Sequence, residues 1–369
     1  MTVDRHARQV LFRHVGRAGQ ARLAAARVLI VGVGATGGAV ANALARAGVG
    51  HLTLVDRDYP ELHNLQRQTL LDEADVRAGI PKAVAAAAHL RQIDSGLDVT
   101  AVVTDVHAGN ILELLAAPER AEHADPSGAY DLIIDGTDNF ATRYVLNDAA
   151  VQLGLPWVYS GAIGAHGAMM VIPPGGRPCF RCLHPDEPPP GSLETCDTVG
   201  VLQPAVAVVG GLAAMAALKL LLGHDVLPEL LHVDAWDGLI AHFQVPARPD
   251  CPTCGRLEFP SLSESGGTDV VAATLCGRDA VHLRPARRPD TAQSSPRPPL
   301  GSPLGSRLDL GGLATRLRAA TGVSVANEHL VRFQADGCEI TVFADGRAIV
   351  QGTDELSRAR SLYARWIGL

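Results

Sequence analysis

Residues 28–44 read VLIVGVGATGGAVANAL: four apolar residues run into Gly32-Val33-Gly34-Ala35-Thr36-Gly37, and an alanine-rich helical pattern follows. Strand, glycine turn and helix in that order form the G-x-G-x-x-G fingerprint of a nucleotide-binding βαβ unit. The glycines let the backbone approach a phosphate, and the helix start offers unpaired N–H groups and a partial positive charge. Asp56 closes the next apolar run, HLTLVD, about 20 residues on, where a ribose-binding acid is expected. Similar turns serve NAD, FAD, S-adenosylmethionine and ATP, and some βα turns hold no ligand. Taken alone, the turn and Asp56 describe an NAD-dependent dehydrogenase.

The rest of the chain continues the alternation. Strand patterns at RVLIVG, HLTLVD, LDVTAVVTDV, YDLIIDGTD and PWVYSGAIG are separated by helical patterns, among them one from Pro81 through KAVAAAAHLRQI and one near 140–153. This predicts an α/β fold with a doubly wound, mainly parallel Rossmann-like sheet. Residues 165–172 and 230–245 read as further strands, plausible as antiparallel additions. The apolar run 205–223 contains Gly210, Gly211 and Lys219, and is expected to be a buried helix begun by Pro204 rather than a membrane span. A nucleotide-binding domain over 1–258, a linker at 259–267 and a small α+β domain at 268–369 are expected, the last carrying a flexible low-complexity loop at 285–306.

The N-terminus MTVDRHARQV has no signal-peptide core, and the net charge of −7 comes with no basic tract, so a cytoplasmic protein with neither nucleic-acid nor membrane partners is expected. Seven cysteines in such a chain are no disulfide framework. Cys179-x-x-Cys182 and Cys251-x-x-Cys254 have the spacing of a closed, four-thiolate structural zinc site; two redox pairs or unligated thiols are the alternatives. Cys196 lies in a proline-flanked loop and is either a nucleophile or a spare thiol.

The residues after Asp56 change the dehydrogenase reading. HNLQRQ (63–68) places Asn64 and Arg67 where they can meet phosphate oxygens, although a solvated polar loop explains the stretch equally well. Lys82, one of only two lysines, follows Pro81 at a helix start, against the dipole, which favours a phosphate partner. The strand DLIID delivers Asp135, Asp138 and Asn139 to its carboxyl end. Asp138 is the candidate Mg²⁺ ligand, or else the cap of the following helix; Asp135 caps or holds the loop. A triphosphate needs such charges and a dinucleotide does not.

In order, Arg8-Gln9, VLIVGVGATGG, AGVGHLTLVDRD, NLQRQTL, GIPK, DGTDN, CFRC, TVGVLQP and CPTC form a series over about residues 5–256 that resembles the ThiF/MoeB/HesA adenylyltransferases, relatives of ubiquitin-activating enzymes. The resemblance implies a homodimer that uses MgATP to adenylate the C-terminal Gly-Gly carboxylate of a ubiquitin-like sulfur carrier. The product is then converted to a thiocarboxylate for thiamine, molybdopterin or thiolated-tRNA biosynthesis, with sulfur from a separate cysteine desulfurase or rhodanese. It implies that Gly32, Gly34, Ala35, Gly37 and Asp56 hold the nucleotide with His63, Asn64, Leu65, Gln66 and Arg67, that Lys82 joins them at the phosphates, and that Asp138 and Asn139 complete the site with Asp138 on Mg²⁺. Arg8 would reach the other protomer's ATP, the paired cysteines would hold zinc, and Cys196 would match a loop cysteine that joins the carrier in some members. Ala35 departs from the usual G-x-G-G-x-G, and its methyl is expected to restrict backbone approach slightly. A tRNA-modifying dehydratase of the same superfamily and a non-catalytic partner subunit are the alternatives.

Overall fold

The computed structural model describes residues 5–116, 130–188, 196–263, 271–274, 280–284, 308–318 and 321–367. The loop expected at 285–306, residues 264–267 of the linker and Cys276 lie outside these residues.

Two units emerge: residues 1–73 with 81–265, and 74–80 with 266–369. In chain order the first holds α1 (Ala7–Val10), α2 (Gly16–Ala25), β1 (Arg27–Val31), α3 (Ala35–Arg46) and β2 (His51–Val55). After a 3-10 turn at Leu62–Asn64 come α4 (Glu73–Ala78), which belongs to the second unit in all but its first residue, then α5 (Lys82–Ile93), β3 (Asp98–Val102) and α6 (Ile111–Leu115). β4 (Leu132–Asp135), α7 (Phe140–Leu153), β5 (Trp157–Ile163) and β6 (His166–Ile172) follow, then α8 (Phe180–Leu183), α9 (Cys196–Val199), α10 (Gln203–Leu221), β7 (Leu230–Asp234), β8 (Leu239–Phe243) and α11 (Pro260–Ser263).

The strands form one sheet in the order β3-β2-β1-β4-β5-β6-β7-β8. The first five are parallel and the last three antiparallel. β1 is buried on both faces, as a central parallel strand must be. Val28 and Ile30 face a core shared with α3, α5 and α10, while Leu29 and Val31 face one shared with α6 and α7. Strand order reverses between β1 and β4, which opens the crevice at their carboxyl ends where open α/β sheets bind ligands. α10 has the length and apolarity to cross a membrane, yet here it packs on α3, β5 and β6.

The second unit is a six-stranded antiparallel sheet in the order β11-β12-β13-β14-β10-β9. Its strands are β9 (Val271–Thr274), β10 (Ala280–Arg284), β11 (Gly322–Ala326), β12 (Leu330–Ala335), β13 (Cys338–Phe343) and β14 (Ala348–Gln351). α12 (Leu310–Arg318) and α13 (Leu356–Trp366) add Leu313, Leu317, Leu362 and Tyr363 to a core with Phe333, Ile340 and Val342. The first domain is expected to run unbroken over 1–258, whereas Ala74–Ile80 groups with this unit. The Asn327 amide donates to the carbonyls of Ala78 (2.9 Å) and Gly79 (3.2 Å), and a Cβ at Gly79 would lie 2.8 Å from Val325.

Candidate functional site

Three glycines interlock at the β1/β4 switch point. Gly32 has φ +81°, open to glycine without strain, and a Cβ there would lie 2.6 Å from the Gly136 carbonyl oxygen. A Cβ at Gly37 would lie 1.9 Å from the Gly32 oxygen, and one at Gly136 2.4 Å from that oxygen and 2.5 Å from Gly37 Cα. The obstacles are backbone atoms, so no side-chain rearrangement relieves them. Nothing local in the sequence marks Gly136; its need for a bare Cα arises from contact with a turn about a hundred residues earlier. Gly34 faces open space apart from Gln68, and Ala35 opens α3 half-buried, outside the left-handed region. Its methyl therefore strains no backbone.

Asp56 ends β2 beside this turn. Its carboxylate accepts the N–H groups of Val33 (2.7 Å) and Asp58 (2.8 Å), which ties the acid to the turn. Burial pushes its pKa above the ordinary carboxylate range, while the Lys82 charge pulls the other way. Lys82 is almost buried at the first position of α5. Its backbone N–H donates to the Asp58 carbonyl (2.9 Å), and its Nζ lies 3.6 Å from Asp58 Oδ2. An ammonium set against the positive end of a helix is thus balanced by one carboxylate and stands near a second.

The stretch 63–68 divides into two groups. Asn64 is buried, and its Oδ1 accepts the Glu61 N–H (3.1 Å) in a capping box, so its oxygen serves the local turn. His63 pairs with Glu61 at 3.3 Å, Leu65 is half-buried, and Gln66 donates to the Val201 carbonyl at 3.3 Å. Arg67 is half-buried, with Nη1 3.0 Å from the His63 carbonyl. Gln68, the last residue of the stretch and one past those expected to bind, is buried, and its Oε1 has no hydrogen-bond partner. Its Nε2 would lie 3.5 Å from a Cβ at Gly34. A buried unsatisfied amide oxygen is costly, and one beside a glycine turn fits a polar ligand. Only its place directly after Arg67 could have flagged it.

At the end of β4, Asp135 is fully buried and accepts the Thr137 N–H (2.8 Å), the Thr137 hydroxyl (2.6 Å) and Arg143 Nε (3.1 Å). Arg143 also donates to the Thr137 carbonyl at 2.5 Å and lies over the rings of Tyr159 and Phe140. Burial raises the Asp135 pKa, and the guanidinium opposes that rise. Asp135 therefore holds the loop. The helix cap is Asn139, which accepts the Thr142 N–H at 2.9 Å, and not Asp138. Asp138 is left exposed beside the crevice, while the Asn139 oxygen is engaged in the cap.

Cys196 opens α9, half-buried, with Sγ 3.5 Å from the Ala162 carbonyl near the carboxyl end of β5. Its segment is stitched to the same rim by Leu202 N–H to Gly164 O (2.8 Å) and by Gln66. Arg8 is exposed on α1. Cys179, Cys182, Cys251 and Cys254 come together, buried, with all four Sγ atoms within 4.8 Å of one another. The pairs Cys179–Cys251 and Cys182–Cys254 stand at 3.6 and 3.4 Å. A tetrahedron with Zn–S bonds of about 2.3 Å has S···S edges of about 3.8 Å, so the donor set fits zinc. The interaction with Cys179 pulls the Cys182 thiol below the ordinary thiol range and pushes Cys179 above it, where burial raises it further.

Residues 6–253 match the ThiF family. The chain is 40% identical over 366 residues to the sulfur carrier protein ThiS adenylyltransferase of Bacillus subtilis, covering 99% of each chain. It is 36% identical to the SAMP-activating enzyme E1 of Haloferax volcanii, covering 74% of this chain and 96% of that one. The solved structure of Escherichia coli MccB with ATP superposes with a TM-score of 0.56 at 21% identity, over 69% of this chain and 75% of that one, which shows a shared fold. The chain belongs to the ThiF family.

Proposed function

We propose that this member of the ThiF family is an ATP-dependent adenylyltransferase acting on the C-terminal Gly-Gly carboxylate of a ubiquitin-like sulfur carrier. A carrier of the ThiS type is the first candidate, because the relative that matches over nearly the whole chain bears that name. The observation that carries the reading is the almost buried Lys82, which stands with Asp56 and the unsatisfied amide oxygen of Gln68 beside the glycine turn at the switch point, a cation where a phosphate chain would lie.

In this reading Asp56 binds the ribose, and the start of α3 receives phosphate on its free N–H groups. Lys82, Arg67 and the Asn64 segment hold the phosphates, and Gln68 satisfies its orphaned oxygen on the nucleotide or its water. A carrier carboxylate oxygen attacks the α-phosphorus, the bond to the bridging oxygen breaks, and pyrophosphate leaves with its electron pair. The nucleophile is already ionised at neutral pH, so orientation and charge stabilisation supply the catalysis without a general base. Mg²⁺, when bound through Asp138, neutralises phosphate charge. Arg8 serves the neighbouring protomer of a homodimer. The four paired cysteines hold a structural zinc. Cys196 stands ready for transfer of the activated carrier, with sulfur from a separate donor.

The test is exchange of labelled pyrophosphate into ATP. Exchange that requires a Gly-Gly-ended carrier supports the reading, and the carrier giving the fastest exchange identifies the pathway. Absence of exchange with ThiS-, MoaD- and tRNA-thiolation-type carriers, at saturating MgATP and full zinc loading, overturns it.

A further inference from the structure

α7 carries two adjacent polar side chains, Asn147 and Asp148, that are both fully buried. A buried carboxylate is costly unless charge and hydrogen bonds compensate it, so the partners of this pair reveal its purpose. Asp148 Oδ1 accepts the Thr253 hydroxyl (2.6 Å), Asn147 Nδ2 (3.3 Å) and Arg181 Nε (3.4 Å). Its Oδ2 accepts the Ser261 N–H (2.9 Å). Asn147 Oδ1 accepts the Phe180 N–H at 2.8 Å. Phe180 and Arg181 are the two residues between Cys179 and Cys182, and Thr253 lies between Cys251 and Cys254.

We propose that Asn147 and Asp148 form a polar clamp that grips both Cys-x-x-C segments by their intervening residues and so preorganises the four-thiolate site for its metal. The inference rests on the zinc reading above. Two segments 72 residues apart must be brought together before four sulfurs can share one cation. Bonds to the intervening residues do this without occupying any thiolate. Arg181 strengthens the grip by donating to Ser261 Oγ (2.5 Å) and lying 4.4 Å from the Tyr144 ring centroid. Asp148 is thus a positioning residue for the metal site: it touches the supports of the ligands and none of the ligands themselves.

The test uses the full-length, metal-loaded protein and reads zinc by chelator competition and the geometry of the site by the visible bands of the Co²⁺-substituted form. Thr253→Val removes one hydroxyl at nearly constant size, and Asp148→Asn removes the charge. Each is expected to weaken zinc binding by about ten- to a hundredfold, as loss of outer-shell support typically does. Each is also expected to alter the Co²⁺ tetrathiolate bands, while Thr253→Ser restores both readouts. Should Asp148→Asn fail to fold, the Thr253 pair carries the test. Competition curves that overlay the unaltered protein, or equal losses in Thr253→Val and Thr253→Ser, overturn the clamp. Failure of the unaltered protein to take up zinc or cobalt overturns instead the zinc reading beneath it.

Discussion

Replacing Arg143 with Met isolates the electrostatics that hold the loop between β4 and α7. Methionine keeps the length and apolar body that pack on Phe140 and Tyr159, so cavity effects stay small. The substitution removes the 3.1 Å bond to Asp135 and the 2.5 Å bond to the Thr137 carbonyl. Asp135 is fully buried and Arg143 nearly so, hence solvent screening discounts little of the loss. Breaking such a buried pair from one side costs about 3–5 kcal/mol, because the remaining carboxylate is stranded. The sign of the pH dependence follows. Burial already holds the Asp135 pKa above its unfolded value, and removing the opposing guanidinium raises it further. Above that raised folded-state pKa the variant bears the whole cost of the ionised group. As pH falls through the raised folded-state pKa toward the unfolded value near about 3.9, the native carboxyl takes up a proton and the deficit relative to the unaltered protein shrinks. Denaturant unfolding at pH 7.5 and pH 5 measures both stabilities. A deficit below about 1 kcal/mol at pH 7.5, or one that grows as the pH is lowered to 5, refutes the reasoning.

Two further perturbations address the nucleotide site. Lys82→Met is expected to lower carrier-dependent pyrophosphate exchange about a hundredfold, the usual effect of removing one charged donor from a transition state; unchanged exchange rules out a phosphate role. Gly136→Ala forces a methyl against backbone atoms and is expected to cost about 1–3 kcal/mol or more in unfolding measurements. Ala35→Gly, at an unstrained helix start, shifts stability by no more than about 1 kcal/mol. Equal behaviour of these two variants contradicts the glycine interlock.

The parallel sheet, the helix at 140–153 and the cysteine pairing were legible because their signals are local: apolar runs, turn residues and C-x-x-C spacing. Other features depend on contacts remote in sequence. Nothing within DGTDN says that Gly136 must pass a carbonyl of the earlier turn, and nothing within YVLNDAAV separates a buried carboxylate from a solvated one. Asn139, rather than Asp138, caps α7 because a loop already fixed by Asp135 and Arg143 sets which residue precedes the first helical turn. β11, with Gly322 in GVSVA and exposed alternate residues, gave little pattern of its own; pairing with β12 creates it.

The excursion of Ala74–Ile80 into the second unit makes that unit discontinuous along the chain. Shortened versions of the protein are therefore not neutral backgrounds. A stop codon after residue 265 strips Asn327 from the carbonyls of Ala78 and Gly79, leaving residues 74–80 as an internal segment without that partner, directly before Pro81 and Lys82. Activity lost on such deletion reports on the entry to α5 as much as on the deleted unit. A dissection that separates the two effects must replace residues 74–80 with a linker as well as remove the tail.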